Sequence, residues 1–223
     1  MSHFGCKDGV LIRTINVEEY EQVKKFLAGS FFKDEPLASS SGEDFQKCNE
    51  EEDDKFNRSM IEQGTCIVAL DEHNPERIIG CVIAGVLVPS SLDSFAAQAL
   101  AAKDNIWGKM VTLLMKASVE GNVYERYGVS KVLLSHMTTV DPSMRGKGLG
   151  TRLAAALMEV GRIKGYEVMI AFCSSFYSAR QKRAMGMECI YSLAYADYKD
   201  ESGEVIFKPP APHTHLQFLA IRL

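Results

Sequence analysis

The chain has 223 residues, 46% hydrophobic, 24% charged and 9% aromatic, which excludes collagen-like, disordered and coiled-coil architectures. Its 25 Lys and Arg stand against 29 Asp and Glu, a net charge of -4, so a nucleic-acid partner, which needs a basic face, is not expected. The longest apolar runs, 78–89 and 95–102, fall short of the roughly 20 residues that span a bilayer, and no membrane segment is expected. The start lacks a basic and apolar leader, and the six cysteines show no CxxC spacing. A cytoplasmic location with reduced thiols follows, without a disulfide framework or a metal site.

Residues 10–15 are β-rich, and 17–31 follow with Tyr20, Val23, Phe26, Leu27 and Phe31 at helical spacing. Pro36 disfavours helix at the residue before it and Ser39-Ser40-Ser41-Gly42 extends the break, which places Glu35 on a loop. Residues 43–63 predict a polar surface helix anchored by Phe45, Phe56, Met60 and Ile61. Within it, Glu50-Glu51-Glu52-Asp53-Asp54 reads as a solvated face, with attraction of cationic amines as a second reading.

The runs 65–70 and 77–88, joined by turn-forming residues, predict an antiparallel hairpin. The stretch 78–86 is apolar throughout, as in a central strand covered on both faces. Helices are expected over 92–102 and 107–127, the second presenting Val111, Leu114, Met115, Ser118 and Val119 on one face. Strand 131–140, helix 148–164 and strand 167–172 make a unit whose two strands should run parallel. A helix over 175–185 and closing strands over 188–196 and 215–221 complete the chain. Without repeat or linker, this is one α+β domain over 1–223 with a mixed, mostly antiparallel sheet and helices on both faces.

The informative segment is Val140-Asp141-Pro142-Ser143-Met144-Arg145-Gly146-Lys147-Gly148-Leu149-Gly150, a strand end and a glycine-rich turn opening an amphipathic helix with Leu149, Leu153, Leu157, Val160 and Ile163 as its buried stripe. Consecutive amides at the positive end of a helix dipole, with Arg145 and Lys147 adding charge, form a pyrophosphate cradle. A Walker A loop needs Lys then Ser or Thr after the second Gly, and a Rossmann fingerprint needs G-x-G-x-x-G; Gly146-x-Gly148-x-Gly150 meets neither.

The remaining pattern, Arg-x-x-Gly-x-Gly over 145–150, resembles the acetyl-CoA signature of the GCN5-related N-acetyltransferase superfamily, and the element order resembles it over 10–223. Three further patches, Asp34-Glu35-Pro36-Leu37, Cys173-Ser174-Ser175-Phe176-Tyr177-Ser178-Ala179-Arg180 and Pro212-His213-Thr214, resemble insect arylalkylamine N-acyltransferases. The resemblance implies a fold whose parallel pair splays apart, acetyl-CoA as acyl donor, no metal, and a small amine acetylated by direct attack in a ternary complex. Polyamines, agmatine or peptide amines are alternatives, as is a catalytically silent acyl-CoA binding module. A monomer is expected.

By that resemblance Met137, Thr138, Thr139 and Val140 pair with the pantetheine arm, an amide near Thr138 to Val140 meets the developing oxyanion, and Arg145, Gly146, Lys147, Gly148, Leu149, Gly150 and Ser175 complete the cofactor site. An alkylamine with a pKa of roughly 10 must lose a proton before it attacks. Glu35 matches the family's base; on its own it is a surface acid before a proline. Ser174 and Ser178, read as four apart on one helical face, match the family's serines. His213 is a candidate for the amine pocket or a proton relay, and His215 shares its side if the segment is extended. His136 is expected to be packed or hydrogen-bonded. Many members place a tyrosine acid four residues before the Gly of a Gly-Phe pair; here the pair is Gly186-Met187 and the position is Lys182. Cys173 raises a minority route through an acetyl-cysteine, against its ordinary role as a small buried hydrophobe.

Overall fold

A computed structural model of the chain describes residues 2–40, 43 and 45–223, with Phe45 and Gln46 as backbone only. The expected break at Ser41 and Gly42 and the expected Phe45 anchor lie outside what is described.

The strands are β1 His3–Lys7, β2 Val10–Thr14, β3 Ile67–Asp71, β4 Asn74–Leu87, β5 Val132–Val140, β6 Val168–Cys173, β7 Glu188–Ala194 and β8 His215–Arg222. The helices are α1 Tyr20–Ser30, α2 Glu50–Glu62, α3 Ser91–Ala101, α4 Ile106–Gly121, α5 Val123–Tyr127, α6 Leu149–Ile163 and α7 Phe176–Ala184. The strands form one sheet in the order β1-β2-β3-β4-β5-β6-β8-β7. β5 and β6 run parallel and the other neighbouring pairs antiparallel.

Alternation along the strands sorts the apolar side chains onto two faces. Val68, Leu70, Cys81, Ile83, Leu134 and Ile170 pack with α1, α2 and α4. Their neighbours Ile67, Ala69, Val82, Ala84, Leu133, Met169 and Ala171 pack with α6. This is why 78–86 is apolar at every position: β4 is covered twice. Leu153 and Leu157 of α6 are fully buried, each contributing roughly 1.5–3 kcal/mol relative to exposure.

Two features of β5 create the site. Ile83 pairs with Met137 and Ala84 with Ser135, so His136 is an extra, bulged residue. On its other side β5 pairs with β6 only at Leu133 with Met169 and Leu134 with Ile170, while β6 continues against β8 as far as Cys173. From Ser135 onward the two strands have separated, and the edge of β5 is open.

Several expectations change. β1 was not foreseen, because Phe4 is its one large apolar residue and four of its five positions are exposed. The helix expected over 107–127 is two helices, divided at Asn122 in the left-handed region with φ 40°, which asparagine tolerates better than most residues. Leu114, Met115 and Ser118 turn toward a cavity, and Val119 is exposed. Ile163 is also exposed, at the last residue of α6 before the chain turns at Gly165.

Candidate active site

The glycine loop has the geometry its sequence implied. Gly146 and Gly148 hold φ of +73° and +77°, with nothing within 4 Å of where a side chain would start. The space above the loop is open, and the backbone is one that side-chain-bearing residues rarely adopt. α6 opens directly after Gly148 with no side-chain cap, so its first amides are available to an anion. Lys147 is exposed, and Arg145 donates from Nε to the Val140 carbonyl at 3.1 Å and from Nη2 to Asp34 Oδ2 at 2.6 Å. Uncapped amides, two cations and an adjacent unpaired strand edge fit a diphosphate followed by an extended amide-bearing arm.

Asp34 leads into Glu35, which is 6% exposed. Its Oε2 accepts from the Ala38 amide at 2.6 Å. Burial raises the carboxyl above the usual range, opposed by the Ser174 hydroxyl and by the Ala38 and Leu37 amides. Glu35 and Ser174, distant in sequence, therefore meet, and the Tyr195 hydroxyl holds the Ser174 carbonyl at 2.7 Å.

Both residues line a cavity of about 150 Å³, whose walls include Phe31, Phe56, Phe95, Trp107 and Phe172 and whose β5 side is Leu134, His136 and Met137. That room suits a small molecule rather than a folded chain. His136, expected to be packed or hydrogen-bonded, packs edge-on against the Phe56 ring at 5.3 Å and also lines the cavity. Burial pushes its imidazole down to about 4, so it is neutral at physiological pH. The acidic run of α2 is not simply a solvated face either. Asp53 turns into the cavity, where its Oδ1 accepts from Trp107 Nε1 at 3.3 Å.

Ser175, not Ser174, caps α7, accepting from the Tyr177 amide at 3.2 Å. Ser174 therefore stands before the helix and does not share a helical face with Ser178, a correction to the sequence reading. The cap leaves the Ser175 O–H free to donate. Ser178 Oγ lies 3.5 Å from Cys173 Sγ and accepts from Lys182 Nζ at 3.2 Å. Lys182, at the position where a tyrosine was sought, is 3% exposed. Cys173 is equally buried.

His213 Nδ1 accepts from the Phe176 amide at 3.1 Å, with the Tyr177 ring at 5.7 Å. It braces the start of α7 beside Ser174, and burial lowers its pKa. It is not among the described residues lining the cavity. His215 is exposed and contacts Thr214 Oγ1 at 2.8 Å. On β5, Met137 and Thr139 are buried and the Thr138 hydroxyl lies 3.4 Å from that of Ser135.

Residues 29–182 match the model of the Acetyltransferase (GNAT) family. The chain belongs to the GNAT acetyltransferase family. Solved structures similar to it include an agmatine N-acetyltransferase at 31% identity and TM-score 0.86, over 97% of this chain and 100% of that one. A Drosophila melanogaster polyamine N-acetyltransferase matches at 32% and 0.84, and a mosquito arylalkylamine N-acetyltransferase like 5b at 30% and 0.84, each over 96% of this chain and 100% of the other. The fold is the GNAT fold, and the family uses acetyl-CoA. Among the described residues no group of three or more His, Cys, Asp or Glu is placed to hold a metal, and no helix is long and apolar enough to cross a membrane.

Proposed function

We propose that the chain is an acetyl-CoA-dependent N-acetyltransferase of small primary amines, within the group that spans arylalkylamines, agmatine and polyamines, acting as one domain by direct transfer. One observation carries this reading: Glu35, Ser174 and the β5 residues His136 and Met137 line the same cavity, at the point where β5 parts from β6. The three similar acetyltransferases, covered almost end to end, support the substrate class. The six free cysteines suit a reducing, cytoplasmic setting.

When bound, acetyl-CoA supplies the thioester that is attacked. The amides of 146–150 with Arg145 and Lys147 bind its diphosphate, and the open edge of β5 from Met137 to Val140 pairs with its amide-bearing arm. A β5 amide beside the His136 bulge donates to the carbonyl oxygen as negative charge develops there. One ammonium proton passes to Glu35, directly or through water, before the free amine attacks; the C–N bond then forms, the C–S bond breaks, and the second proton lost from nitrogen ends on the departing thiolate to give coenzyme A. Burial suits Glu35 to this task, because a raised carboxyl is a stronger base than an ordinary one. The Ser178 O–H serves the departing thiolate, and Lys182 acts through Ser178 as a positioning residue by donating to its oxygen. Ser175 adds a donor at the start of α7, and His213 holds that start in place.

The test is release of free coenzyme A from acetyl-CoA with tryptamine, dopamine, agmatine, spermidine or a lysine peptide. Turnover on the small amines and little on the peptide is expected. Binding of acetyl-CoA without turnover of any amine would instead mark a silent binding module.

A further inference from the structure

Three carboxylates, Glu35, Glu52 and Asp53, line the cavity, and among the described lining residues there is no Lys or Arg. Glu35 is used by the reaction and Glu52 is exposed; Asp53 is the half-buried acid without a task. It forms no ion pair among the described residues; the Trp107 indole donates to its Oδ1 and the Asn49 side chain also stabilises the carboxylate. Its neighbours on α2 are committed elsewhere: Lys24 is bonded to both Glu50 and Asp54, and Lys55 to Glu51 and Glu52. One helical turn on from Asp53, Asn57 is 5% exposed and also lines the cavity. Its Oδ1 is buried with no hydrogen-bond partner. A buried orphan acceptor is costly unless something brings a donor to it, and here it stands beside a half-buried carboxylate on the same helix face.

We propose that Asp53 and Asn57 form a subsite for a second cationic group, so that the amine acetylated is a diamine or a guanidinoalkyl amine rather than a monoamine with an aromatic tail. The inference rests on the reading of the chain as a small-amine acetyltransferase and deepens it. The reacting nitrogen lies by Glu35 and Ser174, and the distal ammonium or guanidinium donates to the Asp53 carboxylate and to Asn57 Oδ1. The rings of Phe56 and Trp107 give the methylene chain apolar walls and the cation aromatic faces. His136, neutral beside Phe56, adds no repulsion.

The experiment compares kcat/KM for agmatine and 1,4-diaminobutane with that for tryptamine and 2-phenylethylamine, in wild type, Asp53→Asn and Asn57→Leu, alongside calorimetric titration of agmatine. Wild type should prefer the dications. Asp53→Asn should lower the dication-to-monoamine ratio at least about tenfold, the order expected for removing one partner of a buried, hydrogen-bonded charge pair. Asn57→Leu should lower it several-fold, and supplies the test if the first variant does not fold. Agmatine affinity should fall in parallel. A wild type that prefers tryptamine, an equal loss on both amine classes, or no measurable agmatine binding overturns the subsite. Turnover restricted to monoamines would sink the subsite and leave the acetyltransferase reading standing. Agmatine binding that depends on Asp53 without turnover of any amine would do the reverse.

Discussion

Arg145 of the glycine loop and Asp34, the residue before Glu35, are joined by a 2.6 Å ion pair across 111 positions of sequence. The pair ties the glycine loop, the proposed diphosphate site, to the segment that carries Glu35, the proposed base. Both side chains are nearly half exposed, at 45% and 47%, so the pair contributes at most about 1 kcal/mol. A diphosphate on the loop competes with Asp34 for the same guanidinium. Asp34→Ala should therefore lower the KM for acetyl-CoA, by up to about fivefold, and lower kcat because the Glu35 strap loses an anchor. Steady-state kinetics with varied acetyl-CoA measures both; a raised KM would show that the pair preorganises Arg145 instead.

Lys182 is buried against Ser178 and has no acid partner among the described residues, and a buried cation so placed costs stability where a hydrophobe of similar size does not. Lys182→Met is expected to reduce kcat roughly tenfold with small changes in either KM, and to leave the melting temperature equal or higher. A lower melting temperature with unchanged kcat would assign the lysine to structure.

Burial pushes Asp53 up to about 6 from its ordinary 3.8. The folded protein then holds a proton that the unfolded chain releases between about pH 4 and 6, so stability falls as pH rises through that window. Asp53→Asn should be more stable than wild type above pH 6, by about 1–3 kcal/mol, and equal to it below pH 4. His136, pushed down to about 4, acts in the opposite sense in both proteins and drops out of the difference. Thermal melts across pH settle the matter, and an Asn variant destabilised at pH 7.5 would mean that the carboxylate is held by the fold.

The proposed direct transfer leaves Cys173 no covalent role, only packing and its 3.5 Å contact with Ser178. Cys173→Ala should keep most activity, within a few-fold of wild type. Near-total loss, with an acetylated cysteine recovered by mass spectrometry from the wild type, would favour the two-step route.

What the sequence disclosed and what it hid divide along a physical line. Arg145 to Gly150 is local: a turn that needs positive φ at Gly146 and Gly148 declares itself by its glycines. The parallel pair followed from strand, helix and strand in succession, and the apolar run of β4 from its two covered faces. Glu35 could be singled out only by resemblance, since its distinction is burial and the company of Ser174. Nothing near Asp53 distinguishes it from Glu50, Glu51, Glu52 and Asp54; the Trp107 indole on α4 does. His136 became a cavity wall through a bulge in pairing with β4, and Lys182 became a partner of Ser178 by burial in the folded chain. Both are facts of tertiary contact. The division of α4 from α5 was within reach, since Gly121-Asn122 is a plausible place for a helix to stop.

The central claim is that Glu35 removes a proton from an amine that arrives as an ammonium. The direct measurement is kcat for Glu35→Gln and wild type as a function of pH on the best amine of the panel. At pH 7 the variant should be slower by about 10²–10⁴-fold, and the deficit should shrink as pH approaches roughly 10, where solution supplies the free amine. Wild-type activity should fall on the acid side at a pH above the ordinary carboxylate range, because burial raises the Glu35 pKa. A variant as fast as wild type at pH 7, or a deficit that does not change with pH, would contradict the account.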